Sequence, residues 1–349
     1  MKKLIVTVSV IICMLVVLSF NSKKTDPYFQ FHENLSEYNF FKGKLNELLP
    51  ADGIIPYDLN TPLFSDYAEK ARFIKVPAGK KINYNATSVF DMPLGTVLIK
   101  NFYYYNDVRK PALGKRIIET RLLANMEDGW HTYQYIWNEE QTEALFEPIG
   151  DVITVEYIDA AGKKIKAQYV VPSQPQCKGC HGRKDTIIPI GIAARHLNGD
   201  YVYANEKQNQ LQYWQQLGLI DLPNSTIPAN AKWNDEKSGS LNDRARAYLD
   251  INCGNCHNPN GPANTSGLFL DIHTTNTTAL GINKTPVAAG RGSGHLKYAI
   301  DPGKPNQSFM IYRMNSVDPG IAMPEIGRNR VHKEGVALIS KWIKEIGKN

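Results

Sequence analysis

The rhythm of apolar and polar positions changes partway along this chain. From about Arg72 to Val171 it has a period of two. Runs rich in β-branched and aromatic residues fall at Arg72–Val76, Thr96–Tyr105, Arg116–Asn125, Trp130–Trp137, Val152–Ile158 and Ile165–Val171. Alternation of this kind predicts strands, each half buried on a sheet. Asp128-Gly129 separates two of the runs and Ala160-Ala161-Gly162 separates another two. Both are hairpin turn sequences, so the stretch predicts an antiparallel meander. Further along, helical spacing takes over. Helices are predicted at Glu206–Leu217, ending at Gly218, at Leu241–Asn252, with Ser240 or Asn242 near its cap, and at Ser308–Met314. The chain closes on Val331–Ile346, where Val336, Ile339, Ile343 and Ile346 recur on one helical face. An earlier short helix is predicted at Leu35–Leu49, capped by Asn34, and the two prolines of Pro223–Asn234 mark a linker.

The amino terminus stands apart. Lys2 and Lys3 precede an almost wholly apolar stretch, Leu4–Phe20. That is the form of an export signal, or of a membrane anchor just short of a full span. No small-x-small cleavage site resolves the two, and both place the remaining chain outside the cytoplasm. Cys13 lies inside the apolar run and reads as packing filler.

Length and composition then bound the rest. At 349 residues, 42% hydrophobic and 21% charged, the chain is globular and long enough for two domains. Lys and Arg number 40 against 34 Asp and Glu, a net +6 that is mild and scattered. It offers no patch for a nucleic-acid backbone. Five cysteines are too few for a disulfide-dense scaffold.

Four of those five form two copies of one motif. Cys177-Lys-Gly-Cys180-His181 and Cys253-Gly-Asn-Cys256-His257 both read CxxCH. Two thiols at this spacing add to the two vinyl groups of one haem, and the next histidine is held as an iron ligand. A dithiol redox pair needs no histidine and sits in a βαβ context, absent here. Zinc sites built from two CxxC pairs place them closer together. Disulfides within CxxC are strained. The motifs therefore predict two covalently bound haem c groups, with Cys177, Cys180, Cys253 and Cys256 as attachment points and His181 and His257 as iron ligands.

The order helix, Cys253–His257, long loop, Gly320-Ile-Ala-Met323-Pro324, closing helix resembles class I cytochrome c over about residues 238–349. The resemblance implies an all-α cytochrome c domain with Met323 as the sixth ligand of the second haem. Met310 and Met314 are alternatives on a helix.

The first motif follows a β meander. The series Met92-Pro-Leu-Gly95-Thr96-Val-Leu-Ile-Lys100, Gly129-Trp130, the first CxxCH and Asp185 resembles the β-sheet cytochromes of the c-prime-beta group. That resemblance implies a haem against a sheet, with His181 proximal. Lys100 is the one candidate it offers for a bond to the porphyrin. Its ordinary reading is a solvent-facing strand lysine. Arg121 likewise reads as a strand-surface charge, or as a partner for a propionate or distal ligand. No sixth ligand for this haem is evident; His131, His196, Met92 and Met126 are available.

Tyr57–Asp66 (YDLNTPLFSD), Glu119–Leu123 (ETRLL), Gly129–Tyr133 (GWHTY), Gln210-Leu211 and Arg244–Leu249 before Asn252-Cys253 resemble a family of bacterial exported dihaem c-type cytochromes. The resemblance implies a dihaem cytochrome and no particular reaction.

The expectation is an α+β chain. Residues 1–22 are a signal or anchor, 30–200 a β-rich haem domain, 201–237 a helix and linker, and 238–349 the cytochrome c domain. Function is expected to be electron transfer in the periplasm, with a redox protein as partner. The alternative is a haem enzyme or gas-binding protein whose first haem has an open distal site for a small molecule and whose second haem relays electrons.

Overall fold

The computed structural model describes residues 26–184, 186–204, 206–287 and 289–347. The expected signal or anchor, Cys13 and Asp185 lie outside the described residues. Among those residues no helix is long and apolar enough to cross a membrane.

A six-stranded antiparallel sheet forms the centre. Its strands are β3 (Ile54–Tyr57), β4 (Glu69–Lys75), β5 (Val97–Tyr105), β6 (Lys115–Met126), β7 (Gly129–Trp137) and β8 (Ala144–Phe146), in sequential order. A short pair, β1 (Phe41–Lys42) and β2 (Leu49–Pro50), precedes it, and the hairpin of β9 (Asp151–Ile158) and β10 (Lys164–Val171) follows. The predicted strands are all present, because period-two runs between turn sequences have one stable arrangement, a sheet with two different faces. Two tiny hairpins come later: β11 (Gly182–Arg183) with β12 (Thr186–Ile187), and β13 (Asp200–Tyr203) with β14 (Glu206–Asn209).

The two faces of the central sheet differ in chemistry. One face, carrying Ile54, Phe73, Val97, Ile99, Leu122, Tyr135 and Trp137, is sealed by Phe29, Leu35, Phe40 and Leu48 from the N-terminal segment. The opposite face is apolar at its two ends. Ile55, Ile74, Leu98 and Leu123 join one core with Ile192, Leu197, Leu211 and Trp214. Phe102, Tyr104 and Ile118 join another with Val155, Tyr157 and Tyr169 of the β9–β10 hairpin. The middle of this face is polar.

Among the described residues there are six α-helices: α1 (Gln174–His181), α2 (Ala194–Leu197), α3 (Gln210–Gln216), α4 (Leu241–Asn252), α5 (Phe309–Met314) and α6 (Lys333–Ile346). The expected all-α class I cytochrome domain is not the architecture observed. The chain is predominantly β. From Cys253 to Ser308 it is irregular, with three short 3-10 turns and parallel bridges at Ile282–Ile300 and Tyr298–Ser308 in place of helices. Glycine, asparagine and proline crowd this stretch, and each favours turns over continuous helix. α4, α5 and α6 share a core of Leu249, Met310, Ile339, Trp342 and Ile343. Ile251 of α4 belongs instead to the core that also holds Ile55 and Leu98 of the sheet.

Two further expectations are corrected. Leu35–Leu49 is not a helix but two 3-10 turns flanking β1, interrupted where Asn39 and Leu48 take positive φ. Glu206–Asn209 is the strand β14. The helix begins only at Gln210, because the Asn209 side chain accepts from the amides of Leu211 and Gln212 at 3.0 and 3.2 Å and caps it there.

Close helix contact fixes how the C-terminal part closes. A Cβ on Gly335 of α6 would fall 2.2 Å from the Tyr248 hydroxyl oxygen of α4, so only glycine permits this approach. α4 starts with a reciprocal cap: the Asp243 amide donates to Ser240 Oγ at 3.1 Å, and the Ser240 amide donates to the Asp243 carboxylate at 3.1 Å.

Candidate functional site

The polar middle of the sheet opens on a cavity of about 160 Å³. Cys177, Cys180 and His181 line one part of it; Cys253, Cys256 and Met323 line another. His257 is not among the lining residues. The walls come from the sheet (Leu98, Leu123, Thr132), from α4 (Tyr248, Asn252) and from the strap of chain after Ala322 (Pro324, Ile326, Arg328).

Both motifs sit where a helix ends. The first occupies the last turns of α1, whose entry is fixed by the Ser173 amide donating to the Gln176 side chain at 2.9 Å. The second begins as α4 ends, with the Cys253 and Gly254 amides both donating to the Leu249 carbonyl. The two meet. Cys256 Sγ lies 3.3 Å from the Gly179 carbonyl oxygen, which brings it beside Cys180. Each thiol acts on the other, lowering Cys180 and raising Cys256. Burial raises Cys177, and raises Cys253 to about 12. Gln134 Nε2 donates to Cys177 Sγ at 2.7 Å, fixing the first motif to β7.

The two histidines share one arrangement. His181 Nδ1 lies 2.8 Å from the Ile188 carbonyl oxygen, and His257 Nδ1 lies 3.2 Å from that of Leu268. A carbonyl only accepts, so Nδ1 carries the proton in both rings and Nε2 keeps its lone pair. Ring orientation and tautomer are thereby set as a metal-ligating imidazole needs them. Burial holds both rings below the usual histidine range, His181 at about 4, so both are neutral at pH 7. Among the described residues no group of three or more His, Cys, Asp or Glu side chains gathers to cage a lone metal ion. The donor set is that of two haem attachment sites: paired thiols, with a neutral imidazole beside each pair.

Met323 sits on the strap, held by its amide to the Arg313 carbonyl and by Arg328 Nη2 donating to its own carbonyl at 2.7 Å. Met314 also lines the cavity, whereas Met310 is packed in the helical core. Sequence reasoning missed His332. Its ring lines the cavity, stacks on Phe64 at 4.2 Å between centroids, and lies 3.0 Å from the Tyr248 hydroxyl. A single histidine before a helix carries no spacing signal that could have revealed it.

The candidates for a sixth ligand of the first haem lie elsewhere. His131 is held by the Asp128 carboxylate at 2.7 Å. His196 is buried 3.3 Å from Asp250, Met92 is in the apolar core, and Met126 packs on the sealed face of the sheet. None lines the cavity. Lys100 and Arg121, read from the sequence as surface charges, do line it. The second half of the chain covers the face on which they stand.

No protein-family model, curated protein or solved structure matches the chain, so the reading of this site rests on its own residues.

Proposed function

We propose that the protein is an exported dihaem c-type cytochrome that passes electrons between two covalently attached haems in one chamber, exchanging them with a redox partner protein. The observation that carries this reading is the convergence of the four CxxCH cysteines and His181 on one cavity, with Nδ1 of each motif histidine tied to a backbone carbonyl and Nε2 free. Cys177 with Cys180 and Cys253 with Cys256 would hold the two groups, and His181 and His257 would ligate their irons. Bound haem supplies reversible one-electron chemistry. The chain's contribution is to fix both imidazoles in the neutral tautomer, to keep the chamber largely apolar, and to bring the two attachment sites into contact at Cys180 and Cys256. Met323 remains the proposed sixth ligand at His257, and a thioether there raises the reduction potential.

The test is periplasmic expression with haem maturation, followed by denaturing electrophoresis with haem staining and a pyridine haemochrome count. Two haems per chain are expected, and one each in the paired Cys177→Ser/Cys180→Ser and Cys253→Ser/Cys256→Ser variants. A chain that carries no covalent haem overturns the proposal.

A specific observation favours a second reading of the first haem. None of His131, His196, Met92 and Met126 lines the cavity, which supports an open iron and hence small-molecule binding or turnover unless His332 or Met314, which do line it, closes the site. Carbon monoxide added to the dithionite-reduced protein separates the two. A spectral change at one haem supports the open site, and no change at either supports a pure relay.

A further inference from the structure

The chamber is electrically one-sided. Lys100, Arg121 and Arg328 line it, and among its described lining residues there is no carboxylate. Arg328 is engaged: its guanidinium donates to the carbonyls of Arg313, Ser316, Met323 and Arg330. The others belong to a row across the sheet. Arg72 of β4 pairs with Lys100 of β5, Lys100 pairs with Arg121 of β6, and Arg121 pairs with Gln134 of β7. Directly paired residues on neighbouring strands share a face, so three cations stand side by side. Lys70, two residues before Arg72, adds a fourth.

Two carboxylates answer them. Asp58 contacts Arg72, and Glu119 takes a two-pronged contact from Arg121. Among the described residues Lys100 and Lys70 have no carboxylate or hydrogen-bond partner. Arg72 Nη2 is buried without one. Lys100 Nζ and the Arg121 guanidinium both lie over the Phe102 ring, at 5.0 and 4.4 Å from its centre. Like charges this close in a poorly solvated space repel strongly. Four basic groups stand against two carboxylates, a deficit of negative charge; burial, with Arg72 and Arg121 beside it, lowers Lys100 well below the ordinary lysine range until an anion is there to hold its proton.

We propose that the chamber binds an anionic group, a carboxylate or small oxyanion, against Lys100, with Arg121 and Arg72 supporting it. A charge-assisted hydrogen bond from the Lys100 ammonium meets one anion oxygen. The anion has two possible sources: a diffusible ion entering the chamber, or a propionate of the haem on the first motif. The charge deficit stands on side chains alone, so the proposal survives if the haem count fails.

The test uses the full-length protein as purified, titrated calorimetrically with nitrite and with acetate at constant ionic strength in chloride. For the diffusible source, saturable binding is expected, weakened at least tenfold in Lys100→Gln, retained in Lys100→Arg and unchanged in the exposed Lys75→Gln. For the propionate source, the wild type takes up neither probe, and the resonance Raman propionate bending band of the haem-loaded protein moves in Lys100→Gln but not in Lys75→Gln. Lys70→Gln, read the same two ways, serves where Lys100→Gln fails to fold. No probe binding together with an unmoved band overturns the proposal.

Discussion

The Asp66 carboxylate grips the backbone of Arg330, accepting its amide at 2.9 Å across nearly the whole length of the chain. It accepts the Asn329 amide as well, at 2.8 Å. The strap that carries Met323 is therefore anchored at its far end to the loop before β4. Asp66→Ala leaves two half-buried amides without their acceptor and is expected to cost about 1 kcal/mol. Urea unfolding of the purified protein checks this. A midpoint unchanged from wild type would mean that water replaces the carboxylate without loss.

His196 and Asp250 give the fold a pH dependence. Burial holds His196 down to about 4, from 6.5 in the open chain, with Arg195 adding to the effect and the Asp250 charge opposing it. The unfolded chain takes up its proton first. The stabilisation is thus complete above pH 6.5 and is lost as pH falls toward 4, by about 3 kcal/mol at roughly 1.4 kcal/mol per unit. His332, also brought to about 4 by burial, acts in the same direction. Stability measured across this window should slope less steeply in His196→Gln. An identical slope would assign the effect to other groups.

Gly335→Ala should force α6 away from Tyr248 and cost about 2 kcal/mol, in the usual range for overpacked contacts. The partner change Tyr248→Phe removes the atom in closest conflict, so the pair should recover part of the loss. Thermal melts of the two single variants and the double variant form the cycle that decides it.

Before haem attachment, Cys180 should be the thiol that alkylates fastest near neutral pH. The neighbouring Cys256 lowers it, while burial raises Cys177 and Cys253. Timed iodoacetamide labelling and peptide mapping of haem-free protein read this directly. Equal labelling of all four cysteines would show that the contact with Cys256 does not form in solution.

The strands of the central sheet were legible because Val97–Tyr105 and Gly129–Trp137 are rich in β-branched and aromatic residues whatever lies around them. The two CxxCH motifs were legible because their chemistry is local. The face on which Lys100 and Arg121 stand was not. A lysine within a strand looks the same whether water or another part of the chain covers it, and here α1, α4 and the strap do so. The helical reading of Glu206–Asn209 failed for a related reason. The segment is uniformly polar, and only the Asn209 side chain turning onto the next amides says where the helix begins. The contact between Cys180 and Cys256 joins distant parts of the chain and leaves no periodic trace.

That contact bears on biosynthesis. On the proposed reading, enzymes that attach haem must reach Cys177, Cys180, Cys253 and Cys256 individually, yet in the folded chain all four face inward on a single space and two of them touch. The finished shape is closed to such an enzyme. Attachment would belong to the extended chain emerging from export, and the sheet, the closing helix and the Met323 strap would then fold around a cargo already in place. Haem supply would decide when the chain closes, ahead of any role in what it does afterwards.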